Sequence, residues 1–577
     1  MFSIIRSALE LSLPLLVPLA ALAFDTETDS EPISDRMEDC VTPKVTATDA
    51  ASITVDPRYS VDVWADQSTF TPIAEPFYVP RGITFDDTNG AYVAMRGSIY
   101  YLQDRKSNCD GGPPQSCALD VPDGEADPTP ILVIDDSGSL IGSGKWTGLL
   151  YFGGRLYASR GVDNPSSGPA FLRNEVIMFA DRDNDGIVDD SDGDGILSQA
   201  DVIVTTDATN THTIGAPFAS PAGNKIFVSK GSYDNSTLGP FGVDPCASPI
   251  TCSASILSFN LDGSDLKVST TGLRNTYEPQ FGLDNQLFGV DNARNNGTSL
   301  PEEVNRIRPG INYGFPDFEA GMPQPSEAIP IGFVEPHQGP TGSASYSYPE
   351  LIQFPLERDQ HFQALYGPFS PALQSPLGRS LIRLNITKIG PDTYGADPEL
   401  TPDLMTGETN AFAYGFDYPI DVATNNRGDL FVVDMGDEGY LPFDESGTIY
   451  RISFNDLVTE ANEFKLDRPF TLQLNGAPFA YYILFGQLDP DPGYSVDLGP
   501  RGRNGTSTLN NPIQVRTGIL NASGTKNLTY MINSPAPELV GHELRFQMLR
   551  VDYDPQTQTY PANDFYIGKT VSNQITP

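Results

Sequence analysis

The sequence has little positive charge. Its 577 residues include 35 Lys and Arg against 75 Asp and Glu, which gives a formal net charge of −40 at neutral pH. A surface of this sign repels nucleic acids and anionic lipids, so neither is an expected partner. Beyond the N-terminus the chain also lacks any run of about 18–20 apolar residues, and no membrane span is predicted. Neutral sugars and alcohols suit such a protein better as substrates than anions do.

Cysteine and histidine are also scarce, with five Cys and four His in the whole chain. No Cys-x-x-Cys motif occurs, which argues against a zinc site. Cys109 lies close to Cys117, and Cys246 lies close to Cys252, so each pair can close a small loop in an oxidising compartment. Cys40 is left over.

The N-terminus has the pattern of a signal peptide over residues 1–23. Arg6 precedes the apolar run LSLPLLVPLA, and the residues Ala21 to Ala23 form an A-x-A cleavage site. Residues 24–54 are acidic and rich in Ser, Thr and Asp, which is typical of a linker. We therefore expect a secreted protein, either extracellular or periplasmic.

A loose repeat of strand, tight turn, strand, variable loop and closing strand fills residues 55–457. Clear copies are GITFDDTNGAYVAM from Gly82, LLYFGGRLYAS from Leu149, PQFGLDNQLFGVD from Pro279 and DVATNNRGDLFVVD from Asp421. Two further copies start at Pro217 and, in degenerate form, at Ser343. Six copies of this kind predict an all-β chain with a six-bladed β-propeller. A β-sandwich is the alternative, although it does not explain the repeated closing strand.

The tail over residues 458–577 has a different pattern. In ELRFQMLRVDY the apolar residues Leu544, Phe546 and Met548 alternate with polar ones, as in a half-buried strand. The tail predicts a small β-sandwich after the propeller. Its role is either attachment to carbohydrate or a surface, or simple packing and stability.

The acidic stretch DRDNDGIVDDSDGDGILSQAD predicts calcium binding. It contains two overlapping D-x-D-x-D-G patterns, in which alternate carboxylates surround one cation and a Gly permits the bend. The flanks predict strands, so the stretch is not a helix–loop–helix site, and a rigid loop clamp is favoured over a calcium switch. The candidate ligands are Asp181, Asp183, Asp185, Asp189, Asp190, Asp192, Asp194 and Asp201.

Two histidines occupy the same relative position in the repeat. His212 precedes the first strand of the third copy, and His337 precedes that of the fifth. At this position the chain approaches the central channel of a propeller, and a neutral imidazole there can take a proton from an alcohol. The alternative is a histidine that only satisfies backbone hydrogen bonds.

Several segments together resemble the PQQ-dependent sugar dehydrogenases, especially the sorbosone dehydrogenase and fungal pyranose dehydrogenase branch. They are THTIGAPFASPAGNKIFVSKGS, the GLRN run, DNARNNGTSLPEEVNRIRPGINYGFP, PHQGPTGSASY and DVATNNRGDLFVVDMGDEG, within about residues 60–455. The resemblance implies a six-bladed propeller that holds PQQ over its channel, with a calcium ion beneath the cofactor.

The resemblance also implies roles for individual residues. His212 resembles the base that takes the substrate hydroxyl proton, and Arg274 with Asn275 resembles the pair that stabilises the quinone. Other positions of the same family patterns are cofactor contacts at Arg81 and His337, and calcium-binding backbone at Ala293 and Arg294. Arg379 is the candidate substitute for the cofactor-binding arginine that follows His-Gly-Ser-Trp in the family. The chain departs from the family at Tyr366-Gly367-Pro368-Phe369, where His-Gly-Ser-Trp is usual, and at Tyr418-Pro419, where Arg-Pro is usual.

These observations predict a secreted quinoprotein that oxidises a sugar or sugar alcohol with PQQ and calcium and passes electrons to an external acceptor. A non-catalytic propeller that binds carbohydrate or protein at a cell surface is the first alternative. A metal-dependent hydrolase of the lactonase kind is the second. The sequence contains no convincing set of carboxylates and Asn for the central ion that such a hydrolase needs.

Overall fold

A computed structural model describes the protein from Ile53 to Thr576 with gaps. The predicted signal peptide, Cys40, Cys109, Cys117 and His337 lie outside the described residues. The described ranges are 53–56, 58–66, 69, 79–87, 90–102, 130–135, 144–163, 171–183, 186–190, 196–207, 209, 211–239, 246–294, 300–317, 328–336, 338–346, 360–367, 379–400, 409–425, 428–436, 447–454, 457–459, 464–465, 468–476, 480–488, 496–497, 506–507, 513–521, 525–531, 543–551 and 566–576.

The predicted propeller is confirmed by the sheets of the chain itself. In the described residues, six antiparallel sheets follow one another. The first strands of neighbouring sheets contact each other at five of the six seams, and the remaining seam is joined by a hydrogen bond from Ser229 to Tyr277 O, so these strands line a common axis. The N-terminal strands β1 (Thr54–Val55) and β2 (Tyr59–Ala65) join the last two sheets. We number the sheets as blades 1 to 6.

The first three blades are built from consecutive strands. Blade 1 has β3 (Gly82–Phe85), β4 (Ala91–Ala94), β5 (Ser98–Leu102) and β6 (Ile131–Asp135); blade 2 has β7 (Gly144–Tyr151), β8 (Arg155–Asp163), β9 (Phe171–Ala180) and β10 (Val202–Asp207); blade 3 has β11 (Ile214–Ala219), β12 (Ile226–Lys230), β13 (Ser255–Phe259) and β14 (Lys267–Thr271).

The last three blades include the two N-terminal strands. Blade 4 has β15 (Gln280–Phe281), the 3-10 helix Leu283–Asn285, β16 (Leu287–Asp291), β17 (Glu302–Ile307) and β18 (Gly332–Val334); blade 5 has β19 (Pro340–Ser345), β20 (His361–Leu365), β21 (Ser380–Arg383), the hairpin β22 (Thr387–Gly390) and β23 (Thr393–Gly395), then β24 (Ala413–Tyr414) and β1; blade 6 has β25 (Pro419–Thr424), β26 (Leu430–Asp434), β27 (Thr448–Phe454) and β2.

The ring is closed by β2. This strand pairs with β27 from Tyr59 opposite Phe454 to Ala65 opposite Ile449, so the N-terminal part of the chain forms the outer strand of the last blade. Its Trp64 is buried with Ile83 of blade 1 and Phe431 of blade 6. The start and the end of the propeller are therefore held in one hydrophobic core.

Each seam between neighbouring blades has its own buried apolar cluster. The six clusters join blades 1 and 2, 2 and 3, 3 and 4, 4 and 5, 5 and 6, and 6 and 1. Strands such as β26, whose residues LFVVD are all buried, are covered on both faces by neighbouring blades. A blade alone leaves these faces exposed, so the stacking of the blades stabilises the fold.

A belt of hydrogen bonds near the axis also crosses every seam. Each bond joins a first or second strand of one blade, or the turn before it, to its neighbour. The bonds are Tyr151 N to Thr84 Oγ1 (3.0 Å), Ser159 Oγ to Gly215 O (2.7 Å), Ser229 Oγ to Tyr277 O (2.6 Å), Ser343 Oγ to Glu278 O (2.5 Å), Thr341 Oγ1 to Pro419 O (3.1 Å) and Ile83 N to Asp421 Oδ2 (2.8 Å).

The strands of each blade alternate in direction, which gives the ring two distinct faces. The first strands β3, β7, β11, β15, β19 and β25 begin at one face, which we call the entry face; second strands end and third strands begin there as well. The loops between third and fourth strands lie at the opposite face, the exit face. Side chains that precede first strands therefore gather at the entry face.

The predicted C-terminal sandwich is also confirmed. One sheet contains β28 (Leu457–Thr459), β30 (Pro469–Asn475) and β35 (Thr525–Met531); the other contains β29 (Phe464–Lys465), β31 (Tyr481–Leu488), β34 (Ile513–Ile519), β36 (Glu543–Val551) and β37 (Tyr566–Thr576), and β32 (Val496–Asp497) pairs with β33 (Thr506–Ser507). The two larger sheets share a core that includes Leu472, Leu484 and Phe546. The side chain of Arg550 lies 5.7 Å from the ring of Phe454, the last residue of the propeller.

The predicted Cys246–Cys252 disulfide is present, with its two Cα atoms 4.0 Å apart. Among the described residues, no helix is long and apolar enough to cross a membrane.

The belt predicts that Gly215 tolerates no side chain. A Cβ atom there would lie 1.8 Å from the carbonyl oxygen of Tyr277 and 2.3 Å from Ser229 Oγ, so Gly215→Ala must separate blades 3 and 4. We expect a loss of about 3 kcal/mol or more in the free energy of unfolding. Denaturation followed by tryptophan fluorescence measures it, since Trp64 and Trp146 are both buried in the propeller.

The control is Gly395→Ala, where the added Cβ would meet only the side chain of Ile389, at 3.7 Å from Cδ1 and 3.9 Å from Cγ2. Its unfolding curve should match that of the unmodified protein. Equal stability of the two variants would show that blades 3 and 4 do not approach as closely as described.

Candidate functional site

The candidate residues collect at the entry face. Arg81 precedes β3, His212 precedes β11, the pair Arg274 and Asn275 precedes β15, and Arg379 precedes β21. The stretches that carry them are far apart in the sequence, and the ring brings them to one end of the axis. His337, which lies between β18 and β19, is outside the described residues.

His212 has a defined tautomer. Its Nδ1 atom lies 2.9 Å from Ser232 Oγ and 3.2 Å from Ser232 O. Ser232 Oγ donates its own proton to Asp234 O at 2.6 Å, so a lone pair of this hydroxyl is left to face the imidazole. The proton of the neutral ring is therefore on Nδ1, and Nε2 carries the lone pair.

Burial and, second, the positive charge of Arg274 together lower the pKa of His212 to about 4. The imidazole is consequently neutral from mildly acidic pH upward, and its Nε2 atom can accept a proton at physiological pH. The hydroxyl of Ser232 adds no negative charge that would raise the basicity of the ring.

His212 lies beside the Arg274–Asn275 turn because Gly231 separates them without a side chain. A Cβ atom on Gly231 would lie 2.4 Å from His212 Cβ and 2.7 Å from Asn275 Oδ1. Ser232 N also donates to Arg274 O at 2.7 Å, which fixes the spacing of the two loops. The candidate base and the candidate quinone-stabilising pair are thus brought together.

A buried aspartate holds this turn. Asp291, the last residue of β16, accepts hydrogen bonds from Arg274 N and Asn275 N, both at 2.8 Å, and from Thr276 Oγ1 at 2.9 Å. Burial raises the pKa of Asp291 to about 6, although these hydrogen bonds favour the ionised form. Asp434, at the end of β26, likewise holds the turn before β25 by accepting hydrogen bonds from Asp417 N and Tyr418 N.

The guanidinium of Arg274 is nearly buried and is held by neutral oxygens. Nη2 donates to Asn235 Oδ1 at 2.5 Å, Nε donates to Asn235 O at 3.3 Å and Nη1 donates to Asn292 O at 3.1 Å. The positive charge of Arg274 acts on the groups around it, which include Asp291 and Glu302. It opposes the protonation of His212.

The predicted calcium-binding turn is held by an acidic residue. Glu302 Oε2, at the start of β17, accepts a hydrogen bond from Ala293 N. Burial raises the pKa of Glu302 to about 7. The side chain of Arg294 turns to the neighbouring loop, where it donates to Pro316 O and lies 5.3 Å from the Phe315 ring.

Arg81 contributes a second positive charge at the entry face. Its Nε atom is buried and has no hydrogen-bond partner among the described residues. Burial lowers the pKa of Arg81, while the nearby hydroxyls of Tyr277 and Tyr366 act in the opposite direction. An unsatisfied buried guanidinium nitrogen is a ready donor for an anionic ligand.

The two positions that depart from the family pattern lie side by side. The rings of Tyr366 and Tyr418 have centroids 4.8 Å apart. Arg379 covers Tyr418, with its guanidinium carbon 4.5 Å from the ring centroid and Nη2 donating to the Tyr418 hydroxyl at 3.0 Å. The chain therefore retains a guanidinium beside Tyr418, although it comes from another strand.

The acidic loop lies at the exit face, between β9 and β10. Carboxylate oxygens of Asp181, Asp183 and Asp189 lie within 4.8 Å of one another. Asp190 and Asp201, which follow these residues in the sequence, are buried. Asp201 Oδ2 accepts hydrogen bonds from Ser198 N and Ser198 Oγ, both at 2.8 Å. Asp185, Asp192 and Asp194 lie outside the described residues. This loop and the Ala293–Arg294 turn are at opposite faces, so they are separate candidate metal positions.

Sequence reasoning missed Ser232, Asn235, Asp291 and Glu302. One signal was available, because β16 and β26 read LFGVD and LFVVD, and both end in the aspartate that holds the turn before the first strand of the same blade. No comparable pattern marks Ser232 or Asn235, since their contacts depend on the path of two irregular loops.

No family model matches the sequence, and no curated protein matches it. Solved structures similar to the chain include a Thermus thermophilus protein described as an oxidoreductase (glucose dehydrogenase), with 16% identity, a TM-score of 0.44, and coverage of 68% of this chain and 99% of that one. The PQQ-bound aldose sugar dehydrogenase of Streptomyces coelicolor has 16% identity, a TM-score of 0.43, and coverage of 69% and 100%. Virginiamycin B lyase of Staphylococcus aureus has 12% identity, a TM-score of 0.31, and coverage of 69% and 99%. Similarity at this level carries no argument about chemistry, and the propeller is defined by the sheets described above.

The environment of His212 predicts its titration. The chain has four histidines, and the imidazole signal of His212 can be identified in NMR spectra by its loss in His212→Gln. We expect its midpoint near pH 4. A midpoint near the ordinary value of about 6.5 would contradict the buried, Arg274-facing position.

Ser232→Asp provides the matched test of the tautomer. A carboxylate opposite Nδ1–H stabilises the imidazolium, so the midpoint of His212 should rise, while the other three histidines keep theirs. An unchanged midpoint would show that Nδ1 does not face residue 232.

Proposed function

We propose that this protein is a secreted quinoprotein oxidoreductase that uses PQQ and calcium to oxidise a sugar or sugar alcohol. The sorbosone and pyranose dehydrogenase branch is the part of the family that its sequence segments resemble. An external acceptor would take the electrons. The observation that carries the proposal is the neutral imidazole of His212, with Nδ1–H committed to Ser232, beside the Arg274–Asn275 turn.

The chemistry follows from this arrangement. Nε2 of His212 takes the hydroxyl proton of the substrate, and the lone pair needed for it is present at physiological pH because the pKa of His212 is low. When bound, PQQ supplies the acceptor for the hydride that leaves the same carbon. Arg274, held by neutral oxygens, opposes the accumulation of positive charge on His212 and favours negative charge that develops nearby.

The residues at the entry face fit an anionic cofactor. PQQ carries three carboxylates, and the chain offers the guanidinium groups of Arg81, Arg274 and Arg379 there. The Nε atom of Arg81 is buried and has no hydrogen-bond partner among the described residues, so a cofactor carboxylate would give it one. Asn275 and His337 complete the proposed cofactor contacts, and the backbone at Ala293 and Arg294 is the proposed calcium position beneath the cofactor.

The second candidate function is a propeller that binds carbohydrate or protein without catalysis. The paired rings of Tyr366 and Tyr418 favour it, since tyrosines stand where the related enzymes have other residues. Adjacent aromatic rings are a common platform for sugars. The C-terminal sandwich provides a further surface for such binding.

The test is quinone binding and turnover. The purified protein is mixed with PQQ and calcium, and uptake is measured by the absorption of bound quinone, followed by dye reduction with a panel of sugars. We expect uptake at micromolar PQQ and turnover with at least one sugar. His212→Ala should lose turnover by at least about 100-fold while it keeps quinone uptake.

Matched variants separate the two functions. Arg81→Gln should weaken quinone uptake, whereas Arg306→Gln, which removes a guanidinium paired with Asp392 away from the entry face, should leave it unchanged. Absence of quinone uptake by the unmodified protein would favour the binding function. Full turnover by His212→Ala would exclude His212 as the base.

We also propose that the acidic loop at the exit face binds calcium as a structural clamp. Val188 N, within the loop, donates to the Tyr92 hydroxyl of blade 1 at 3.1 Å, and Ile196 forms a bridge with Asp135 of the same blade. The loop therefore ties blade 2 to blade 1. Neutralising its clustered carboxylates with a cation should stabilise that seam.

Calcium removal tests this clamp separately from catalysis. Treatment with a chelator should lower the melting temperature followed by Trp146 fluorescence, and added calcium should restore it. Asp181→Asn with Asp183→Asn should reduce this response. An equal response in that variant would assign the calcium effect to another position.

A further inference from the structure

Six positions, one from each blade, lie in or just before the first strands around the axis. Four of them are small residues. Contacts between neighbours are tight: a Cβ atom on Gly82 would lie 3.3 Å from Gly148 Cα, and one on Gly148 would lie 2.2 Å from Ala216 Cβ. The six positions are Gly82, Gly148, Ala216, Glu278, Gly342 and Asp421.

Two carboxyl groups fill this ring. Glu278 of blade 4 and Asp421 of blade 6 form a hydrogen bond to each other, and both are buried. They can meet because Gly342 of blade 5, between them, has no side chain: a Cβ atom there would lie 2.4 Å from Asp421 Oδ1 and 2.9 Å from Glu278 Oε2. A hydrogen bond between two carboxyl groups requires that one of them is protonated.

The proton lies on Glu278. Both oxygens of Asp421 accept backbone N–H groups, Oδ2 from Ile83 and Oδ1 from Val422, each at 2.8 Å, and these bonds favour its ionised form. Glu278 accepts weaker bonds from Ser343 N at 3.3 Å and Gln280 Nε2 at 3.2 Å. Burial, followed by the charge of Asp421, raises the pKa of Glu278 well above its ordinary value.

Among the residues that the structure describes, none of the groups that act on the pair is a positively charged side chain. Tyr277 faces both carboxyl groups, and burial raises its pKa, so the phenol stays neutral and donates to Thr147 O at 2.5 Å. Arg81 faces Tyr277 on the entry side. The shared proton is therefore what keeps two buried carboxyl groups at hydrogen-bond distance.

We propose that the Glu278–Asp421 pair is a pH-sensitive lock, in which one shared proton joins blades 4 and 6 across Gly342 and its loss as pH rises separates the two blades around the axis. The pair also anchors the neighbouring blades, since Asp421 holds Ile83 of blade 1 and Glu278 holds Ser343 of blade 5. Two adjacent carboxylates repel each other strongly in a buried site.

The direction of the pH effect follows from the raised pKa. Below the pKa of an unfolded carboxyl, both states hold the proton and the lock contributes fully. Between that pKa and the raised pKa of the pair, the unfolded chain has released a proton that the folded protein still holds, so rising pH favours the unfolded chain. Above the raised pKa the folded protein loses the proton as well, and the contribution of the lock is gone. Stability should therefore fall toward alkaline pH.

Glu278→Gln tests the lock, because its amide donates to Asp421 at any pH. Melting temperatures from tryptophan fluorescence are measured from mildly acidic to alkaline pH for the unmodified protein, for Glu278→Gln and for the control Glu335→Gln. We expect the alkaline fall in melting temperature to shrink in Glu278→Gln and to persist in the control. Parallel curves for all three proteins would overturn the proposal.

A second measurement uses the unmodified protein alone, in case Glu278→Gln does not fold. Hydrogen exchange of peptides that contain Ile83 and Ser343, corrected for the intrinsic pH dependence, should lose protection in alkaline solution before peptides from the outer strand β10 do. Uniform loss along the chain would also overturn the lock. Neither experiment depends on quinone binding, so its outcome is independent of the proposed function.

Discussion

The close approach of the first strands around the axis is the constraint on which the rest of the structure depends. At Gly148 and Gly215 the next blade leaves no room for a single added methyl group. Small residues there let the hydrogen-bond belt form, and the belt in turn aligns the apolar faces that make up the six seams. A larger residue in this ring separates two blades and exposes both of their faces.

The candidate site is a consequence of this closure. His212 and Arg274 belong to the loops that enter blades 3 and 4, and Gly231 lets His212 lie close to Asn275, the neighbour of Arg274. Arg81 enters from blade 1 and Arg379 from blade 5. None of these blades holds the set alone, so the chemistry proposed for the entry face requires an intact ring, and any change that opens a seam should also disturb the site.

The charge of the site contrasts with that of the whole molecule. The chain carries a net charge of −40, yet its entry face gathers Arg81, Arg274 and Arg379. Around them, burial keeps His212 neutral and moves the pKa values of Asp291 and Glu302 toward neutrality. A local positive site within a negative protein is suited to one anionic ligand of defined shape, because the outer surface repels other anions.

Much of the fold could be predicted from the sequence because the turn-and-strand repeat is local. The repeat predicted six blades and the alternation around Phe546 predicted the sandwich, and both are confirmed; the spacing of Cys246 and Cys252 predicted their disulfide, which is also confirmed. The closing role of β2 was not predicted, since YSVDVWA pairs with a strand at the far end of the propeller. In blade 5, whose copy of the repeat is degenerate, the second strand is HFQAL, from His361.

The site was less predictable. Family patterns pointed to His212 and Arg274, which lie together, but the contact of His212 with Ser232 depends on how a turn folds back. Glu278 and Asp421 meet only because Gly342 separates them in space, and no spacing in the sequence records this. Contacts between distant segments require the assembled ring, whereas strands and turns are encoded locally.

The most direct test of the central claim is a crystal structure of the protein with PQQ and calcium. The account predicts quinone density on the axis at the entry face, with a carboxylate against Arg81 and the reactive carbonyl carbon within reach of a substrate held by His212 Nε2. Quinone bound elsewhere on the molecule, or an imidazole of His212 walled off from Arg274, would contradict it.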